Sequence, residues 1–94
     1  MRCTVEFVVD YLRHHSSVSC HISGRIIAEH FGISGSDVRK LINKSRQNGV
    51  PICSSRHGYY YSEDKEYIEK TVCSIRGRIS AQENAIHGLS EWLS

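Results

Sequence analysis

No apolar run in this 94-residue chain approaches the roughly 20 residues that cross a bilayer, so no helical membrane span is expected. The opening MRCTVEFVVDYLRHH places Glu6 and Asp10 inside its apolar stretch. That makes a poor signal peptide, and a cytoplasmic protein is expected. C-x-x-C pairs are missing as well. Cys3, Cys20, Cys53 and Cys73 stand far apart, which disfavours a zinc framework or a disulfide scaffold and favours reduced thiols that pack as small hydrophobes. His14, His15, Cys20 and His21 match no common metal-ligand spacing, so neither metal nor cofactor is expected. A nucleophile elbow and a phosphate loop are absent, and no carboxylate cluster accompanies His57 and the tyrosines. An enzyme is not expected.

Acid is scarce where base is plentiful. Residues 38–62 contain Arg39, Lys40, Lys44, Arg46 and Arg56 and no Asp or Glu. The net charge of +2 conceals this: residues 1–61 carry eight Lys/Arg against four Asp/Glu, and residues 62–94 carry four against six. A local cationic patch of this kind suits a polyanionic partner. The hydrophobic share of 39% is that of an ordinary globular chain, so disorder is not the default.

The patterning predicts an α+β protein, mainly helical. Val5, Val8, Val9 and Leu12 recur at helical spacing, which predicts a first helix from Thr4 to about His15. Ser16 to Ile22 is a connector, and Cys20-His21-Ile22 is expected to add a short strand edge to a later hairpin. Ser23 is a good N-cap for a second helix with Ile27, Ala28 and Phe31 on its buried face, and Gly32 ends it. Ser34 caps a third helix that runs to about Asn48, so Gly-Ile-Ser leaves about three residues for the turn. Val38, Leu41, Ile42 and Ser45 form its inner side, while Ser36, Lys40, Asn43 and Gln47 lie opposite, flanked by Arg39 and Lys44. Gly49 and Pro51 stop this helix. Val50–Ser54 and Tyr59–Ser62 then read as two strands joined by a basic tip, Ser55-Arg56-His57-Gly58.

Helix, tight turn, helix and hairpin in this order describe a winged helix-turn-helix, assigned here to residues 1–62. Ser36, Arg39, Lys40 and Asn43 are the side chains expected to meet base edges in a major groove. Lys44, Arg46 and the helix start at Ser34 and Ser36 suit phosphates. Arg56 and His57 are placed to reach a minor groove or the backbone, and Tyr60 is expected to point outward and donate to a phosphate. Arg13 and Arg25 read as ordinary surface charges.

Residues 63–94 form the second unit, a helix from about Asp64 to Leu93. Ile68, Val72, Ile75, Ile79, Gln82, Ile86, Leu89 and Leu93 are spaced 4, 3, 4, 3, 4, 3, 4, and seven of these eight positions are apolar. That is the seam of a coiled coil, about 38 Å long at about 1.5 Å per residue, and it predicts a homodimer. Its rival is a helix folded back along the first helix. Gly77 and Gly88 each weaken the helix by about 1 kcal/mol, so packing must hold it.

Residues 20–62 resemble the winged-helix domain at the N-terminus of biotin-repressor-type proteins. HFGIS-x-SDVRKLIN, NGVPI and SSRHGYYYS look like that family's helix-turn-helix, strand and wing. The resemblance implies sequence-specific binding of double-stranded DNA, commonly as a dimer, with the second helix of the pair in the major groove. Only the heptad helix follows here, without a ligase or effector domain, so no biotin chemistry is implied. The whole chain also looks like small winged-helix proteins encoded by phages and prophages of Gram-positive bacteria, which implies a transcriptional regulator. Two alternatives stay open: a module that grips a host protein through Trp92 or the tyrosines, and an accessory that binds DNA without sequence choice.

Overall fold

The structure, a computed structural model, describes residues 4–93. It is α+β and mainly helical: α1 (Val5–His15), α2 (Gly24–Phe31), α3 (Gly35–Gln47), β1 (Ile52–Ser55), β2 (Gly58–Tyr61) and a long α4 (Lys65–Ser90) that ends in a 3₁₀ turn, Glu91–Leu93. Cys3 lies outside the described residues. Cys20, Cys53 and Cys73 are free thiols, of which only Cys53 is buried. No helix among the described residues is long and apolar enough to cross a membrane.

The capping residues do what their chemistry allows. Ser23 Oγ accepts from the Ile26 amide at 3.2 Å and Ser34 Oγ from the Asp37 amide at 3.0 Å, each satisfying an amide with no partner inside its helix. Gly32 closes α2 in the left-handed conformation, φ 66°, and the Ile33 amide reaches back to the Ala28 carbonyl at 3.0 Å. Asp64 opens α4 by accepting from the Glu66 amide at 3.0 Å.

The core collects one face of each element: Val8, Val9 and Leu12 from α1, Ile27 from α2, Val38 and Ile42 from α3, with Ile22 and Ile52 from the extended segments. Beneath it the hairpin is short. β1 and β2 pair antiparallel with Cys53 opposite Tyr60 and Ser55 opposite Gly58, which leaves Arg56 and His57 as a two-residue tip. The expected strand edge is present as one bridge: Ile22 and Tyr59 exchange both backbone hydrogen bonds at 2.8 Å.

Alternation along the hairpin gives it two different faces. Ile52, Tyr59 and Tyr61 belong to the core side. Cys53 and Tyr60 face the other way, where α4 lies. The free edge of β1 is closed by side chains from two helices. Arg46 Nε of α3 donates to the Ile52 carbonyl at 2.8 Å, and the Ser54 amide donates to Thr71 Oγ1 of α4 at 3.3 Å. An exposed strand edge invites pairing with another chain, so these two bonds also guard against aggregation.

The first half of α4 is therefore part of the packed body. Thr71 is buried and Tyr67 half-buried, while residues 76–93 are all exposed. The helix packs on β1 rather than folding back along α1.

Candidate functional site

α3 turns Val38, Ile42 and Ser45 inward, and Ser45 Oγ returns its hydrogen bond to the Leu41 carbonyl at 2.7 Å. The 3.6-residue period then carries the intervening residues outward. Ser34, Ser36, Arg39, Lys40, Asn43 and Lys44 are all exposed, on or at the start of one helix face. The only carboxylate on α3 is Asp37, in its first turn. None of Arg39, Lys40, Lys44 and Arg56 forms an ion pair with any described residue.

The hairpin tip is exposed and held in place. A carbonyl only accepts, so His21 Nε2 donates to the Val18 carbonyl at 2.8 Å. In the neutral ring Nδ1 then accepts from Ser55 Oγ at 2.6 Å, and Ser55 Oγ accepts the His57 amide at 3.1 Å. Arg56 Nε donates to His57 Nε2 at 3.3 Å across the tip. His21 fixes this chain of bonds while lying flat on Tyr60, with ring centroids 4.1 Å apart and planes at 9°.

Between α2, the outer side of α3, the hairpin tip and α4 runs a groove of about 1290 Å³. Arg39, Asn43, Arg46, Arg56 and His57 all line it. Ser34, Ser36, Lys40 and Lys44 do not line it, although they lie exposed along α3. Two further arginines line it that sequence reasoning assigned no role: Arg25 of α2 and Arg78 of α4. Glu29 is the one carboxylate among the lining residues, and Arg25 engages it at 3.2 Å.

Two side chains differ from expectation. Tyr60 does not offer its hydroxyl to a partner: it is only 4% exposed, closed in by His21, Tyr67 and the first turns of α4. Burial raises its phenol pKa, with Cys53 and Tyr67 adding to the rise. It does point away from the core, as Tyr59 and Tyr61 point toward it, but α4 occupies the space outside. Arg46 is not a free surface cation either. Its Nε is committed to β1, its guanidinium carbon lies 5.9 Å from the centre of the Tyr59 ring, and its Nη2 is buried without a hydrogen-bond partner among the described residues. Desolvation lowers its pKa, and the positive charge of Arg78 pushes in the same direction.

The heptad positions divide. Ile68 and Ile75 are half-buried beside the hairpin. Val72, Ile79, Ile86, Leu89 and Leu93 are 40%, 50%, 63%, 71% and 88% exposed, and Gln82 is exposed among them. Trp92 adjoins this stripe at 87% exposure. Among the described residues no three of His, Cys, Asp and Glu come together as a metal site.

Comparison with models of protein families, with characterised proteins and with solved structures gives no match. What the site can do follows from its own geometry and charge.

Proposed function

We propose that this chain is a winged helix-turn-helix that binds double-stranded DNA as a homodimer, and that it acts as a transcriptional regulator of the kind phages and prophages encode. One observation carries the reading. The exposed face of α3 presents Arg39, Lys40, Asn43 and Lys44 without an ion-pair partner among the described residues, beside an exposed basic hairpin tip. A helix of 13 residues is about 20 Å long and fits a major groove. Arg39 and Lys40 suit guanine acceptors, and Asn43 suits adenine. Arg56 and His57 extend the contact as a wing, and Lys44 takes a phosphate.

Dimerisation rests on the exposed half of the seam. Ile79, Ile86, Leu89 and Leu93 are half or more exposed along α4 and its final 3₁₀ turn, an apolar stripe of the kind that marks an interface. A second copy is the fitting occupant because the spacing is the heptad of a self-pairing coil. Two α3 helices would then meet half-sites about 34 Å apart, one turn of duplex.

The experiment is selection of bound duplexes from a random pool, followed by anisotropy titration of the winner against a scrambled duplex. Preference for the selected duplex supports a regulator. Equal affinity supports an accessory that binds without sequence choice, and no retained duplex at low salt refutes DNA binding. The exposed Trp92 and Leu93 favour one second reading, a host protein gripped by the end of α4. A stoichiometric host partner that survives Arg39→Ala with Lys40→Ala would support it.

A further inference from the structure

We propose that Arg46 of α3 and Arg78 of α4 form a two-arginine clamp that takes one phosphate group in the groove between the helix-hairpin body and α4. Taken as a contact to a DNA backbone, the clamp rests on the duplex-binding reading above. Taken as a site for free phosphate, it stands apart from it.

Arg46 is fixed before any ligand arrives. The bond to the Ile52 carbonyl and the Tyr59 ring beneath hold the guanidinium in one place, and Nη2 is a buried donor without a hydrogen-bond partner among the described residues. A buried donor left unmatched costs stability, and a desolvated cation costs more unless an anion compensates it. The described residues pair no anion with it. The one carboxylate lining the groove, Glu29, is engaged by Arg25. Instead α4 brings a second cation, Arg78, to the groove that Arg46 lines, and its charge adds to the desolvation that lowers the Arg46 pKa.

Two cations lining one groove without a free counter-charge are unfavourable when the groove is empty and favourable when it holds a dianion or a phosphodiester. Guanidinium N–H groups are strong donors to phosphate oxygens, so two such side chains can hold one phosphate between them. Arg39 and Arg56 continue the positive lining on either side, which suits a phosphate belonging to a chain. Ser74, one helical turn before Arg78, lines the same wall and adds a hydroxyl donor.

Arg78→Gln and Arg76→Gln provide the test, since both arginines are exposed on α4 and neither substitution touches the core. Arg76 is absent from the groove lining, so its variant controls for bulk charge. One arm measures the slope of log affinity against log salt for duplex DNA. The other follows the arginine Nε–Hε resonances of the full chain during titration with inorganic phosphate. A slope reduced by about one in Arg78→Gln, and unchanged in Arg76→Gln, puts a DNA phosphate in the clamp. An unchanged slope, with saturable phosphate shifts at Arg46 that Arg78→Gln abolishes, puts a free phosphate there. The clamp is overturned if neither arm responds, or if every response is shared equally by Arg76→Gln. Should the wild-type chain bind no duplex, the regulator reading fails while the phosphate arm still decides the clamp.

Discussion

Among the glycines, Gly58 is the one where an added methyl group meets backbone closer than 3.0 Å, so Gly58→Ala is the severest of the glycine-to-alanine changes. Gly58 has φ 138°, a conformation that side chains other than glycine's rarely adopt, and it sits where β2 passes under Ile22. A Cβ there would fall on the Ile22 carbonyl group and lie 2.7 Å from the Ser23 nitrogen, all of it backbone that no rotamer change can clear. To make room, the Ile22–Ser23 segment must leave the hairpin. Both 2.8 Å bonds of the Ile22–Tyr59 bridge are then lost, about 1 kcal/mol each. Backbone strain adds about 1–3 kcal/mol, against which the stiffer unfolded chain returns about 0.4–1 kcal/mol. The net loss is about 2–5 kcal/mol, a large fraction of a small domain's stability. For a chain of this length that lowers Tm by at least about 8 °C. Thermal unfolding followed by circular dichroism measures it. A Tm within about 3 °C of the wild-type value would show that the hairpin is not held against Ile22, and would remove the basis for a fixed wing.

Two other perturbations probe separate parts of the molecule. Ile79→Asp with Ile86→Asp leaves the protomer's stability nearly unchanged, because both side chains are at least half exposed. It removes about 1 kcal/mol of burial per side chain, four times over in a dimer, so dimer affinity falls by about 1000-fold. Light scattering should give twice 10.7 kDa for the wild type and 10.7 kDa for the variant; a wild-type monomer at tens of micromolar contradicts the seam. Tyr60 governs alkaline stability. Its folded pKa is raised, so its contribution is complete below the unfolded value of about 10 and is lost as pH climbs through the folded value. Denaturant unfolding from pH 8 to 11 should show a shallower decline in Tyr60→Phe than in wild type, and equal declines would place the phenol in water.

Much of this architecture is written locally. Ser23, Gly32 and Ser34 set the ends of α2 and the start of α3 through bonds within a few residues, so caps and periodicity suffice to find them. The exposed face of α3 follows from the same period. What was not legible depends on where α4 lies. Its apolar heptad pointed to a seam for self-pairing or for packing along the first helix. Besides Ile68 and Ile75 of the seam, the contact with the hairpin uses Tyr67 and Thr71, one turn apart and offset from the seam, and Thr71 is polar. A hydrophobic pattern cannot reveal a buried threonine that closes a strand edge. Once α4 lies there, Tyr60 is covered and Arg78 enters the groove beside Arg46. Arg46 itself looked like one more surface cation because its partner, the Ile52 carbonyl, is backbone and has no sequence signature.

The central claim is that the exposed cationic face of α3 enters a duplex, and Arg39→Ala with Lys40→Ala tests it most directly. Both side chains are exposed and neither is ion-paired with a described residue, so the variant should keep the wild-type circular dichroism and Tm. Each lost base or phosphate contact is worth about 1–3 kcal/mol, so affinity for a selected duplex should fall by at least about 30-fold by anisotropy. A folded double variant that binds the duplex as tightly as the wild type would contradict the account.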